Sequence, residues 1–200
     1  MTWEKLPQLI ILFFVIFDPL LSAVVFVTAT KNMKMTDKFK VGMYATLVAL
    51  IVSAIFLFFG KSFLTLFNTS MNDLRIAGGI LLALLGIKMA MGHDSENEET
   101  KSGNSSKMAV ASLIGTPLLT GPAAITTIII TTGDYGIAPT GLAILIVLAT
   151  AGILFAILSR FADKLNKTAL QVTSTMLGLI TLAWGVNFIL TGIRGVFGLG

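Results

Sequence analysis

Apolar residues along this chain fall into six long runs separated by short polar connections: Pro7–Ala29, Val41–Phe59, Leu74–Met91, Met108–Thr132, Ile137–Leu158 and Thr168–Ile193. A bilayer core of about 30 Å takes roughly 20 apolar residues per helix, and every run approaches or exceeds that length. The second, fourth, fifth and sixth contain no Asp, Glu, Lys or Arg. The third opens at Asn72-Asp73, a helix-capping signal, and carries Arg75 and Lys88 only near its ends, where long cations reach back to the interface. The first has Asp18 at its middle. A cleaved signal peptide is the rival reading of that run, and its features oppose it: one lysine ahead of it, no small-x-small site after it, and an acid within it. The pattern predicts an all-α membrane protein with six transmembrane helices.

Composition agrees. The 200 residues are 55% hydrophobic and 12% charged, against about 25% charged in soluble domains, and the mean hydropathy is +0.91. A soluble enzyme and a disordered chain are both excluded. There is no cysteine, which removes disulfides, thiolate nucleophiles and cysteine-bound metals. No Walker loop, dinucleotide fingerprint, metal-ligand cluster or catalytic triad is present, so neither enzymatic chemistry nor a cofactor or metal is expected. His93, the single histidine, falls in a polar connection and needs no special role.

The net charge of +4 is small, but its placement is lopsided. With six spans both termini share one side, and that side holds Lys5, Lys61, Arg75 and Arg194. The other side holds ten of the fourteen cations: Lys31, Lys34, Lys38, Lys40, Lys88, Lys101, Lys107, Arg160, Lys164 and Lys167. Excess Lys and Arg mark cytoplasmic loops. Loops 30–40, 92–107 and 159–167 are therefore expected in the cytoplasm, with both termini periplasmic or extracellular at a cell inner (plasma) membrane. The lysine run from Lys31 to Lys40 suits anionic lipid better than nucleic acid.

The chain also repeats itself. A shift of 98 places Asp18-Pro19-Leu20-Leu21-Ser22-Ala23 on Thr116-Pro117-Leu118-Leu119-Thr120-Gly121, and a shift of 99 places Gly79 and Gly86 on Gly178 and Gly185. Residues 1–91 then form one three-helix unit and residues 108–200 the other, joined by a Ser-, Asn- and Glu-rich flexible linker at 92–107. Three spans per unit is odd, so the second unit enters the membrane from the opposite face. This is a 3+3 inverted-topology repeat, the architecture of many secondary transporters.

Both units carry proline in the middle of their first helix: Pro19 in one, Pro117 and Pro122 in the other. Proline removes a backbone donor and clashes with the preceding turn, so the first and fourth helices are expected to be discontinuous. Broken backbone at membrane depth survives only against protein or a water-filled cavity. Its free N–H groups suit a carboxylate and its free C=O groups an ammonium, and an α-amino acid carries both. The candidate substrate-binding positions are Asp18, Leu20, Leu21, Ser22, Thr116, Leu118, Leu119, Thr120 and Gly121. Asp18 has a second reading, as the cap of a half-helix starting at Pro19, and Thr116 is its counterpart in the other unit. Gly78, Gly79, Gly86, Gly178 and Gly185 are expected to let helices approach closely. Asn187, polar within the sixth span, is a candidate substrate contact or an interhelical hydrogen-bonding group.

Asp18-Pro19, Arg75-Ile76-Ala77-Gly78-Gly79 and the block Pro117-Leu118-Leu119-Thr120-Gly121-Pro122-Ala123-Ala124-Ile125-Thr126-Thr127 together resemble the MarC family of integral membrane proteins. The resemblance spans essentially the whole chain. It implies transport of small neutral amino acids such as glycine and alanine, through a site formed by the first and fourth helices. Many members read Asp-Pro-Leu-Gly-Asn in the first span, whereas this chain reads Asp18-Pro19-Leu20-Leu21-Ser22. The expectation is a secondary transporter for a small neutral amino acid, with proton coupling through Asp18 as an additional role. An exporter of drugs or metabolites is the alternative, and would call for a larger cavity lined by aromatic rings.

Overall fold

The computed structural model of the chain describes residues 2–31, 33–91, 119–161 and 167–198. The expected linker 92–107, Thr116, Pro117, Leu118 and Lys164 lie outside the described residues. Within them all regular structure is helical: a short 3-10 turn at Thr2–Lys5, then α1 (Leu6–Phe17), α2 (Pro19–Ala29), α3 (Met35–Leu66), α4 (Met71–Ala90), α5 (Pro122–Tyr135), α6 (Ile137–Phe161) and α7 (Lys167–Phe197).

Among the described residues four stretches are long and apolar enough to cross a membrane: Leu6–Ala29, taken through its break, Met35–Leu66, Ile137–Phe161 and Val172–Phe197. The chain is thus an integral, multi-pass membrane protein. The 20 residues of α4 reach about 30 Å, but Asp73, Arg75 and Lys88 make it more polar than its neighbours. The 14 residues of α5 reach only about 21 Å, because that helix starts afresh at Pro122. The N-terminal part of the expected fourth span lies outside the described residues.

Helix limits depart most from the apolar runs at α3, which extends from Met35 to Leu66 although its uncharged run is Val41–Phe59. Lys61 is exposed and tolerated, and the helix ends only before Asn68, which sits at a positive φ of 50°. Its faces divide by size. Ala45, Ala49 and Ser53 are buried, while Met43, Leu47, Ile51 and Ile55 form a large, exposed apolar stripe. In water such a stripe would drive aggregation. In a bilayer it is the lipid-contacting face, and the small residues are where another helix packs.

Helix α6 packs there, antiparallel to α3. A Cβ added at Gly42 would come 2.8 Å from the Cβ of Phe155, and one at Gly152 would come 3.3 Å from Thr46. Phe155 in turn stacks on Phe26 of α2, with ring centroids 4.9 Å apart. The broken helix α1–α2 lies at the centre: 67% of its apolar window is buried, against 28% for Met35–Leu66, 39% for Ile137–Phe161 and 22% for Val172–Phe197. Phe13, Phe17 and Phe26 are among the largest fully buried side chains.

The closest helix pair is α4 with α7. A Cβ at Gly79 would lie 2.6 Å from the carbonyl oxygen of Gly185, and a Cβ at Gly86 2.6 Å from that of Gly178. Gly192 extends the seam, its added Cβ falling 2.8 Å from the carbonyl oxygen of Asn72. Steps of seven residues along both helices keep these glycines on one face, and backbone meets backbone directly.

Candidate functional site

Asp18 interrupts the central helix. Its backbone is left-handed (φ 38°, ψ 70°), a conformation that Asp and Asn tolerate better than most residues. Its N–H still closes α1 by donating to the Phe14 carbonyl at 3.1 Å. Its side chain opens α2: Oδ1 accepts from the Leu21 N–H at 3.1 Å, with Pro19 in the first helical position, where a missing N–H costs nothing. The capping reading of Asp18 is therefore realised. Its other oxygen, Oδ2, accepts from the hydroxyl of Ser174 on α7. The carboxylate is 5% exposed. Burying a charge at membrane depth costs roughly 2.5–3.5 kcal/mol on insertion scales, and two donors offset part of that. Nothing in the sequence joined Ser174 to Asp18, since 156 residues separate them. A polar residue in an apolar run four positions before Gly178, close to the glycine face, is the available signal.

The second break is described from Leu119 onward. Leu119 and Thr120 are fully buried. Gly121 precedes α5 in extended conformation (φ −71°, ψ 176°), Pro122 takes the first helical position, and no side chain caps the helix. The Ile125 N–H donates to the Gly121 carbonyl at 3.0 Å, as in an ordinary first turn. The N–H groups of Ala123 and Ala124 stand ahead of it, at the positive end of the helix dipole. Thr126 and Thr127 turn their hydroxyls back to carbonyls of their own helix, Thr127 to Ala123 at 2.8 Å.

One small cavity of about 180 Å³ lies at the second break, lined by Gly121, Pro122, Ala123 and Ala124, by Leu81 and Leu85 of α4, and by Ile16, two positions before Asp18; Asp18, Leu20, Leu21 and Ser22 are not on its walls. The sequence indicated the two breaks; the α4 leucines that complete the walls carried no separate signal. Gly78 sets the distance between α4 and α5, because a Cβ there would come 2.9 Å from Thr126. Ser22 is buried one turn below Asp18, whereas Leu20 and Leu21 are half-buried.

Asn187 lies elsewhere. It lines a larger cavity of about 420 Å³ together with Lys5, Gln8, Arg75, Asp134 and Trp184. Across it Arg75 of α4 forms an ion pair with Asp134 near the end of α5. Arg75 stands at a span end, where a snorkelling cation is expected, but its partner lies 59 positions away, beyond the reach of any local pattern. Leu12 lines the same cavity, six positions before Asp18, or about 9 Å of helix. The cavity therefore opens from the bundle end that holds the N-terminus and reaches partway toward the break.

Comparison with known proteins supplies the family. Residues 3–197 match the family described as MarC family integral membrane protein. The UPF0056 membrane protein YhcE of Escherichia coli is 31% identical over 92% of this chain and 89% of its own length. A second UPF0056 membrane protein, MJ1677 of Methanocaldococcus jannaschii, is 29% identical over 91% of this chain and 92% of its own. PH0214 of Pyrococcus horikoshii, named in the same way, is 32% identical over 76% and 75% respectively. No solved structure matches. With a family match from near the first residue to near the last, the chain belongs to the MarC family of integral membrane proteins.

Proposed function

We propose that this protein is a secondary transporter that moves a small neutral amino acid of the glycine or alanine type across the cell membrane by alternating access. The observation carrying this reading is a small cavity at the start of α5, which α1 reaches through Ile16, two positions before its break. Uncapped N–H groups at the start of α5 suit a carboxylate, carbonyl groups at the end of α1 suit an ammonium, and Asp18 adds a negative charge beside them. The volume of about 180 Å³ admits a ligand of a few heavy atoms, since an engineered cavity of about 150 Å³ holds benzene. It is small beside the roughly 300–1,000 Å³ of sites for drug-sized molecules, whereas the cavity beside Asn187, about 420 Å³ with Tyr135, Trp184 and Phe188 on its walls, is the one the drug-exporter alternative would use.

The α4–α7 seam supports an inverted repeat. Exchanging each residue for its counterpart 99 positions away turns the Gly79–Gly185 contact into Gly178–Gly86, so the seam maps onto itself. Two related halves of this kind allow a central site to be exposed to either side in turn. In this reading the cavity bordered by Asn187 is the outward approach, with the termini on the periplasmic or extracellular face.

The test is uptake of radiolabelled glycine and alanine into proteoliposomes, for the natural protein and for Thr120→Val and Asp18→Asn. Flux saturating with glycine or alanine and competed by small neutral amino acids is expected. Flux no greater than that of empty liposomes for both overturns the proposal. A proton role for Asp18 predicts that Asp18→Asn loses the pH dependence of transport; unchanged pH dependence removes that role alone.

A further inference from the structure

Where α3 begins and α6 ends, the bundle carries a groove separate from both cavities above. Its volume is about 660 Å³, and Met35, Phe39, Ile153, Ile157, Lys40 and Arg160 are among its walls. The four apolar side chains are between 46% and 61% exposed, so the surface faces outward from the bundle. Among the described residues no Asp or Glu lines it. The Ser159 hydroxyl, also at the groove, donates to the Ala156 carbonyl at 2.6 Å and is turned to its own helix.

The depth of the two cations follows from helix geometry. The 32 residues of α3 span about 48 Å, against a bilayer core of about 30 Å, so one or both helix ends stand in the headgroup zone. Lys40 is the last cation before the uncharged stretch of α3, and Arg160 is the first after that of α6. The contacts of Gly42 with Phe155 and of Gly152 with Thr46 set the antiparallel register. That register carries Lys40 to the level of residues 157–158, within one turn of Arg160. Both charges therefore stand at one plane, where apolar wall gives way to water.

We propose that this groove binds an anionic phospholipid, its phosphate between Lys40 and Arg160 and an acyl chain along Phe39, Ile153 and Ile157. A free anion has nothing to place on the apolar walls. A zwitterionic lipid brings a cation toward two cations, and anionic lipid gains on the order of fivefold in affinity per Lys or Arg at the surface. The proposal is independent of what the protein transports.

The test is native mass spectrometry of the full chain titrated with phosphatidylglycerol or phosphatidylcholine. Phosphatidylglycerol is expected to be retained selectively, and the double variant Lys40→Gln/Arg160→Gln to weaken that retention by about tenfold or more. The control Lys61→Gln/Arg194→Gln removes the same charge elsewhere and is expected to retain the lipid. Ile157→Gln leaves the charges alone and is expected to weaken retention as well. Equal retention of the two lipids overturns the proposal, as does equal weakening in the control. Competition by soluble glycerophosphoglycerol as effective as by the lipid itself overturns it in favour of a simple anion site.

Discussion

The hydroxyl of Ser174 on α7 donates to Oδ2 of Asp18, the residue at which the central helix breaks. One contact thus links the broken element to the helix whose glycines lock against α4. Ser174→Ala leaves a buried carboxylate oxygen without that donor, which costs about 1–3 kcal/mol. The expected result is a lower unfolding midpoint in detergent, with Ser174→Thr close to the natural protein because the hydroxyl returns. Asp18→Asn keeps an acceptor for the Leu21 N–H and a residue at home at positive φ, so it is expected to fold. Asp18→Ala loses both and is expected to be the more destabilised of the two.

Glycines on the α4–α7 seam should respond very differently from a glycine facing a flexible side chain. Gly86→Ala sets a Cβ 2.5 Å from the backbone nitrogen of Leu182, which cannot move alone. Overpacking of this kind costs about 1–3 kcal/mol. At Gly141 the same substitution meets only the Leu57 Cδ2 atom, at 3.1 Å. That methyl can rotate away, and alanine favours the helix by up to about 1 kcal/mol over glycine. Thermal unfolding should therefore rank Gly141→Ala at or above the natural protein and Gly86→Ala well below it. An equal loss at both positions would remove backbone contact as the reason for the seam.

Much of this arrangement was legible because the physics is local. Asp followed by Pro announces a cap and a helix start whatever surrounds it, and Asp18 does cap α2 through Leu21. Glycines seven apart on two runs announced a close seam, and Gly79, Gly86, Gly178 and Gly185 form it. What was not legible depends on residues distant in sequence: the Ser174 partner of Asp18, the Asp134 partner of Arg75, and the placing of Asn187 in a cavity away from the breaks. Apolar runs also understated α3, since an exposed Lys61 ends a run of hydrophobicity without ending a helix.

Arg75 and Asp134 form their ion pair with side chains 18% and 34% exposed. Water still reaches the pair, so its net contribution to stability is small, about 0–1 kcal/mol. A double-mutant cycle with Arg75→Gln and Asp134→Asn is expected to give a coupling below about 1 kcal/mol that shrinks further in concentrated salt. A coupling of several kcal/mol that is insensitive to salt would mean that the pair is dry and holds α4 to α5 as a structural bolt.

The start of α4 gives a pH-dependent prediction away from the bilayer core. Ser70 and Asp73 form a reciprocal capping box: the Asp73 N–H donates to the Ser70 hydroxyl oxygen at 3.1 Å, and Asp73 Oδ2 accepts from the Ser70 N–H at 3.0 Å and from its hydroxyl at 2.6 Å. The Ser70 hydroxyl first, and its backbone N–H second, hold the Asp73 carboxyl below its ordinary value. A carboxyl lowered in the folded state binds its proton more weakly there than in the unfolded chain. Its contribution is thus complete above the unfolded value and is lost as pH falls through the folded one. Carbon-13 NMR of the Asp73 carboxyl should show a midpoint below that of an aspartate in an unstructured peptide. Ser70→Ala should move it upward, because both bonds made by the hydroxyl disappear. A midpoint that does not move on Ser70→Ala would mean the box is open in solution and that α4 starts without it.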